Sequence, residues 1–108
     1  MQSENRKILN LLGLAQKAGK VASGEFSTEK AIKSGQAKMA VISADASGNT
    51  TKKFENMCKW YHVPVIIFAD KASLGHCLGR TDRTSVAVTD EGFANAILKA
   101  AGAQDTRR

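Results

Sequence analysis

Two cysteines, one proline, one tryptophan and one tyrosine in 108 residues are too few for a disulfide-stapled scaffold, a proline-rich linker or a broad aromatic platform. Cys58 and Cys77 fall inside apolar helical patterns, where a reduced thiol behaves as a small hydrophobe. No apolar stretch approaches the roughly 18 residues of a membrane helix, and Met1-Gln2-Ser3-Glu4-Asn5-Arg6 lacks the apolar core of a secretion signal. The expectation is a cytoplasmic protein with no membrane partner. Acidic side chains are scarce too: ten stand against 16 Lys and Arg, giving a net charge of +6. That balance favours a polyanionic partner. The excess is concentrated near the N-terminal third, where residues 1–38 hold seven basic and three acidic side chains, while residues 39–70 balance at three each.

What remains is ordinary globular material, 43% hydrophobic and 24% charged, at a length close to the commonest domain size. The chain reads as one domain over residues 1–101 followed by a flexible C-terminal tail, 102–108. Ile8, Leu11, Leu12 and Ala15 recur at helical spacing, predicting a helix from about Glu4 to Ala18 that Gly19 ends, with Gly13 marking a close packing contact. A short strand near Lys20–Ser23 leads to Gly24, which opens a second helix closed by Gly35. Met39-Ala40-Val41-Ile42 reads as a buried strand. Phe54, Met57, Cys58 and Tyr61 mark a third helix from about Asn49, and Val65-Ile66-Ile67-Phe68 a second buried strand. Asp70 caps a short helix carrying Leu74, Cys77 and Leu78. Arg80-Thr81-Asp82-Arg83-Thr84 is then an exposed basic loop before a last strand, Ser85–Val88. Thr89 caps a final helix with Asp90 and Glu91 in its first turn and Phe93, Ala94, Ile97, Leu98 and Ala101 on its buried face. This alternation predicts an α/β fold, a three-layer α/β/α sandwich around a mixed sheet of about four strands.

Three catalytic or metal-binding motifs fail on spacing or context. Gly13–Lys20, GLAQKAGK, has five residues between its glycines where a phosphate-binding P-loop has four; Val21 follows the lysine where Ser or Thr is required, and the segment ends a helix where a P-loop begins one. Cys58 with His62 and Cys77 with His76 lack the CxxC spacing of structural zinc. Asp90-Glu91, the best carboxylate pair, is explained by the helix dipole. No enzyme chemistry, cofactor or metal is expected. The basic residues Lys17, Lys20, Lys30, Lys33 and Lys38 flank one loop and helix junction, with Arg80 and Arg83 in another loop. Together they would line one end of the sandwich, with Gly24 admitting a close backbone approach and the second helix presenting free amides to phosphate. Phe26, beside that glycine, is a better candidate than Trp60 to stack on an unpaired base.

Several longer runs carry a resemblance. LLGLAQKAGKVASGE (Leu11–Glu25), KAIKSGQAKMAVISADAS (Lys30–Ser47), the Asn49–Val65 segment, LGHCLGR and SVAVTDEGFA together resemble the kink-turn RNA-binding family of ribosomal proteins, most closely its small bacterial YlxQ-like branch, over about Arg6 to Lys99. The resemblance implies an alternating sandwich that binds RNA through the glycine-led loop and its helix, assisted by the loop before the last strand. In that family the first loop reads GxNExxK, whose Asn, Glu and Lys recognise a sharply bent RNA with tandem sheared G·A pairs. The matching stretch here is GEFSTEK, Gly24 to Lys30: Gly24 and Lys30 match, while Phe26 stands for the Asn and Ser27 for the Glu, removing an amide and a carboxylate that read purine edges.

The expected site is Gly24, Glu25, Phe26, Ser27 and Lys30, with Lys20, Lys33, Arg80 and Arg83 on phosphates. Glu25 enters only as a loop neighbour and first-turn acid. The expected function is non-enzymatic binding of structured RNA, ribosomal RNA included, beside the ribosome or other translation and transcription proteins; DNA is not expected. The alternative is a protein-interaction module of that machinery without specific RNA recognition.

Overall fold

The computed structural model describes residues 2–102. Five helices and four strands alternate: α1 (Gln2–Lys17), β1 (Val21–Ser23), α2 (Glu25–Lys33), β2 (Met39–Ile42), α3 (Gly48–Tyr61), β3 (Val65–Ile67), α4 (Lys71–Cys77), β4 (Ser85–Val88) and α5 (Glu91–Ala100). The strands form one mixed sheet in the order β1-β4-β2-β3. β4 lies antiparallel to both β1 and β2, and β2 runs parallel to the edge strand β3.

Alternation along the strands divides the core. Met39, Val41, Val86 and Val88 face Ile8 and Leu12 of α1, Leu74 of α4 and Ala94, Ile97 and Leu98 of α5, whereas Ala40, Ile42 and Ala87 face Ala31 and Ile32 of α2 and Phe54 and Cys58 of α3. Side chains at successive strand positions point to opposite faces, which is why two separate clusters arise from one set of strands. The register places Ala22 opposite Ala87 and Ala87 opposite Ala40, a row of three small side chains across the α2 side. That row lets α2 settle low on the sheet.

Burial raises the Cys58 thiol to about 11, because an apolar surrounding disfavours the thiolate. Cys77 is half-buried and raised for the same reason.

Several boundaries differ from expectation for local reasons. Asp90, not Thr89, caps α5: its carboxylate accepts the Phe93 N–H at 2.9 Å, while the Thr89 N–H donates to the Lys20 carbonyl and extends the β1–β4 pairing. Ala101 is exposed because it caps the helix end and does not belong to its last turn. α3 starts one residue early, since the Ser47 side chain accepts from the Thr50 N–H. β3 is not fully buried. As an edge strand paired only with β2 it leaves Ile67 46% exposed, and Phe68 lies just past it, its N–H still bonded to the Ile42 carbonyl. Of the expected tail, residues 103–108 lie outside the described residues.

Candidate nucleic-acid interface

Gly24 sits where β1 hands over to α2, with φ 94° and ψ 158°. Side chains exclude this conformation for almost every residue but glycine. Its N–H donates to the Ser85 carbonyl at 2.9 Å and its carbonyl accepts from the Thr28 N–H at 2.9 Å, so the glycine is stitched to β4 on one side and to α2 on the other. As the residue before the helix it supplies no capping side chain. The amides of Glu25, Phe26 and Ser27, which a helix start cannot satisfy internally, point out from the first turn carrying the positive end of the helix dipole.

The loop at residues 80–84 is fixed beside this turn. Arg83 Nε donates to Ser23 Oγ at 3.1 Å, one residue before Gly24, and its Nη1 donates to the Asp82 carbonyl at 3.0 Å. The Arg83 N–H donates to the Lys71 carbonyl and the Arg80 N–H to the Gly75 carbonyl, folding the loop back onto α4. A side chain at Gly75 would collide with the Thr81 carbonyl, so the glycine is what lets this loop lie against the helix. Arg83, 60 positions from Ser23, is thereby held at the start of α2, and Arg80, in the same loop, is exposed.

Phe26, Lys30 and Lys33 share one exposed face of α2, where they line a shallow hollow with Glu29 and Ser34. Helical spacing of three and four residues puts them there. Phe26 is 78% exposed, an unusual position for a large apolar ring. Trp60 is equally exposed, on α3.

Not all the expected residues meet. Lys20 lies at the opposite end of β1, four extended residues or about 13 Å from Gly24, where its carbonyl accepts from Thr89. Lys38 stands at that same far end, its N–H bonded to the Val88 carbonyl, and Lys17 lines a different groove, between α1 and α4. The structure thus places Glu25, Phe26 and Ser27 on the first turn of α2 after Gly24 with Arg83 fixed beside them, sets Lys30 and Lys33 further along the same helix and Arg80 in the loop that carries Arg83, and leaves Lys20 apart.

A further residue belongs to the group. Lys53 of α3 donates to Glu25 Oε2 at 2.9 Å and lies 3.0 Å from Glu29 Oε1, while Lys33 donates to Glu29 Oε2 at 2.8 Å. The hydrogen bonds from Lys33 and Lys53 hold the Glu29 carboxyl below its usual range, and those to Glu25 and Glu29 raise Lys53. Both acids of α2 are therefore neutralised by neighbouring lysines. Among the described residues Lys30, Arg80 and Arg83 form no such pair, so the positive charge left over is on them.

The sequence pattern of the ribosomal protein L7Ae/L30e/S12e/Gadd45 family matches residues 6–98. The chain belongs to that family. It is 46% identical over 88 residues to the RNA-binding protein YlxQ of Bacillus subtilis (strain 168), covering 82% of this chain and 88% of that protein. Among solved structures it matches a Bacillus halodurans C protein of unknown function with a TM-score of 0.86 and 33% identity, over 89% of this chain and 97% of that one. It also matches the Giardia lamblia 15.5kD RNA binding protein with a TM-score of 0.81, over 96% of this chain and 89% of that one; at 18% identity that likeness concerns the fold. The family's α/β architecture is the one described above.

Proposed function

We propose that this chain is a non-enzymatic, cytoplasmic RNA-binding protein that docks a structured RNA, ribosomal RNA included, on the start of α2 and the loop at 80–84. Family membership and the 46% identity to an RNA-binding protein support RNA as the polyanion. The observation that carries the site is the first turn of α2, which has no capping side chain and lies beside an arginine fixed by Ser23. Free amides at a helix start bind phosphate through both hydrogen bonds and the dipole. Lys30, Lys33, Arg80 and Arg83 add phosphate contacts, and Phe26 offers a ring for an unpaired base to stack on.

Where the family's recognition loop carries Asn and Glu, Phe26 and Ser27 give this chain neither an amide nor a carboxylate with which to read purine edges. Affinity then rests on charge and stacking more than on base-edge contacts, and sheared G·A pairs contribute less than they do to the family's kink-turn readers. With about four phosphates neutralised, binding weakens steeply as salt rises, because each contact releases condensed counterions.

The test is a titration of a kink-turn RNA, and of the same RNA with its sheared pairs replaced, at two salt concentrations, with wild type and Lys30→Ala. Salt-sensitive binding to both RNAs, weakened in the variant, is the expected result. Strong preference for the intact kink would reinstate family-like base recognition. No binding even at low salt would sink the RNA reading.

A further inference from the structure

A second concavity lies away from the proposed RNA site. It is an open groove of about 830 Å³ between α1 and α4. Leu9, Gly13 and Leu14 of α1 and Cys77 of α4 give it a largely apolar lining, interrupted by Asn10, Ser73 and His76. Gly13 is why it is a groove: a Cβ there would stand 3.2 Å from the Cys77 carbonyl, so the two helices touch backbone to backbone and the apolar side chains flank the contact. Leu14 is 54% exposed, although its neighbours Leu12 and Ala15 are fully buried. Nothing in the core explains a leucine left in water at this point on the helix.

The charges along the groove are of one sign. Arg6 and Lys17 stand at its two ends, and among the described residues no carboxylate lines it. They are eleven positions apart on α1, a span of about 16 Å or three helical turns. An apolar floor of that length between two cations complements a helix with an apolar stripe and acidic flanks. It suits a peptide more than RNA, since among its described lining residues the only ring is the His76 imidazole and most of the surface it exposes is apolar.

We infer that this groove is a second docking surface, which takes an acidic amphipathic helical segment of a protein partner. The lining residues of α4 lie on a different side of that helix from Gly75, which faces the loop at 80–84. The groove is therefore separate from the proposed RNA site, and both are open at once. A chain that holds RNA on one surface and an acidic helix on the other is an adaptor that recruits a protein to an RNA. The inference stands on the groove's own geometry and does not require the RNA reading.

The probe is a synthetic peptide of about four helical turns with leucines at helical spacing and flanking glutamates, compared with a scrambled peptide of the same composition. Amide chemical shifts of the isotopically labelled full chain report where each lands. The expected result is saturable shifts confined to α1 and α4 with the ordered peptide only, and affinity lowered about tenfold or more by Leu14→Glu, a substitution at an exposed position that leaves the core intact. Arg6→Glu with Lys17→Glu should abolish binding of the acidic peptide and permit binding of its lysine-flanked counterpart. Equal binding of the scrambled peptide, shifts centred on α2 and the loop at 80–84, displacement from the groove by a structured RNA, or no shift at all would each overturn the inference.

Discussion

The first turn of α5 is closed by its own chain, whereas that of α2 is left open. At α5 the Asp90 carboxylate takes the Phe93 N–H. Ser47 does the same at α3 and Asp70 at α4, where the Ser73 N–H holds the Asp70 carboxyl below its usual range. At α2 the equivalent position is Gly24, whose own N–H and carbonyl are spent on Ser85 and Thr28, and the one acid in its first turn, Glu25, is drawn aside to Lys53. Three helix starts thus have a first-turn amide closed by a side chain, and α2 keeps its donors and dipole for a group from outside. The difference sets α2 apart from the other three as the helix whose first turn is proposed to meet phosphate.

The largest break in that comparison comes from Gly24→Ala. Nothing lies within 4 Å of the added methyl, so the substitution costs backbone conformation alone, of order 1–3 kcal/mol at such a φ and ψ. Relief of that strain swings the start of α2 away from Ser85. Thermal unfolding should show the destabilisation, and RNA affinity should fall by about tenfold or more as the amides lose their alignment with Arg83. If both stay at wild-type values, the open first turn is not what binds.

Asp90→Ala tests the other member of the pair. Loss of a side-chain cap costs about 1 kcal/mol, so the melting temperature should drop by a few degrees. RNA affinity measured in parallel should be unchanged, because α5 lies against the sheet face opposite α2. A matching loss of RNA binding would mean that affinity here follows global stability, and the contrast between the two helix starts would lose its functional meaning.

Much of this was legible in the chain order. β2 and β4 were readable to the residue because Met39–Ile42 and Ser85–Val88 are unbroken apolar or small runs, buried on both faces. β3 was misread as equally buried, since Val65-Ile66-Ile67 has the same composition and only the strand order reveals that it is an edge. Thr89 and Asp90 are both good caps by type, and the choice between them was made by Lys20, whose carbonyl takes the Thr89 N–H. At the proposed site, Gly24, Phe26 and Lys30 were visible through local spacing. Lys20 stands apart from them because closeness in sequence is separation along a strand. Lys53, 28 positions from Glu25, has no local signal that ties it to the loop.

Lys53 supplies the finest adjustment. Its pairs with Glu25 and Glu29 are exposed and screened by water, so Lys53→Ala should barely move the melting temperature. Their value is electrostatic. The Glu29 carboxyl is lowered, first by Lys33 and then by Lys53, so its contribution is present above its unfolded pKa and lost as pH falls through the folded one; Lys33 and Lys53 are raised, so theirs is present below the unfolded pKa and lost as pH rises through the folded one. The pairing is therefore intact across neutral pH. Removing Lys53 deletes one cation and releases Glu25 at the mouth of the α2 dipole, where a free carboxylate competes with phosphate for the same amides. RNA affinity should fall about threefold at low salt and less at high salt, as screening weakens surface charges. Adding Glu25→Gln to Lys53→Ala separates the two causes: recovery would assign the loss to the released carboxylate, and a persistent deficit would make Lys53 a phosphate contact in its own right.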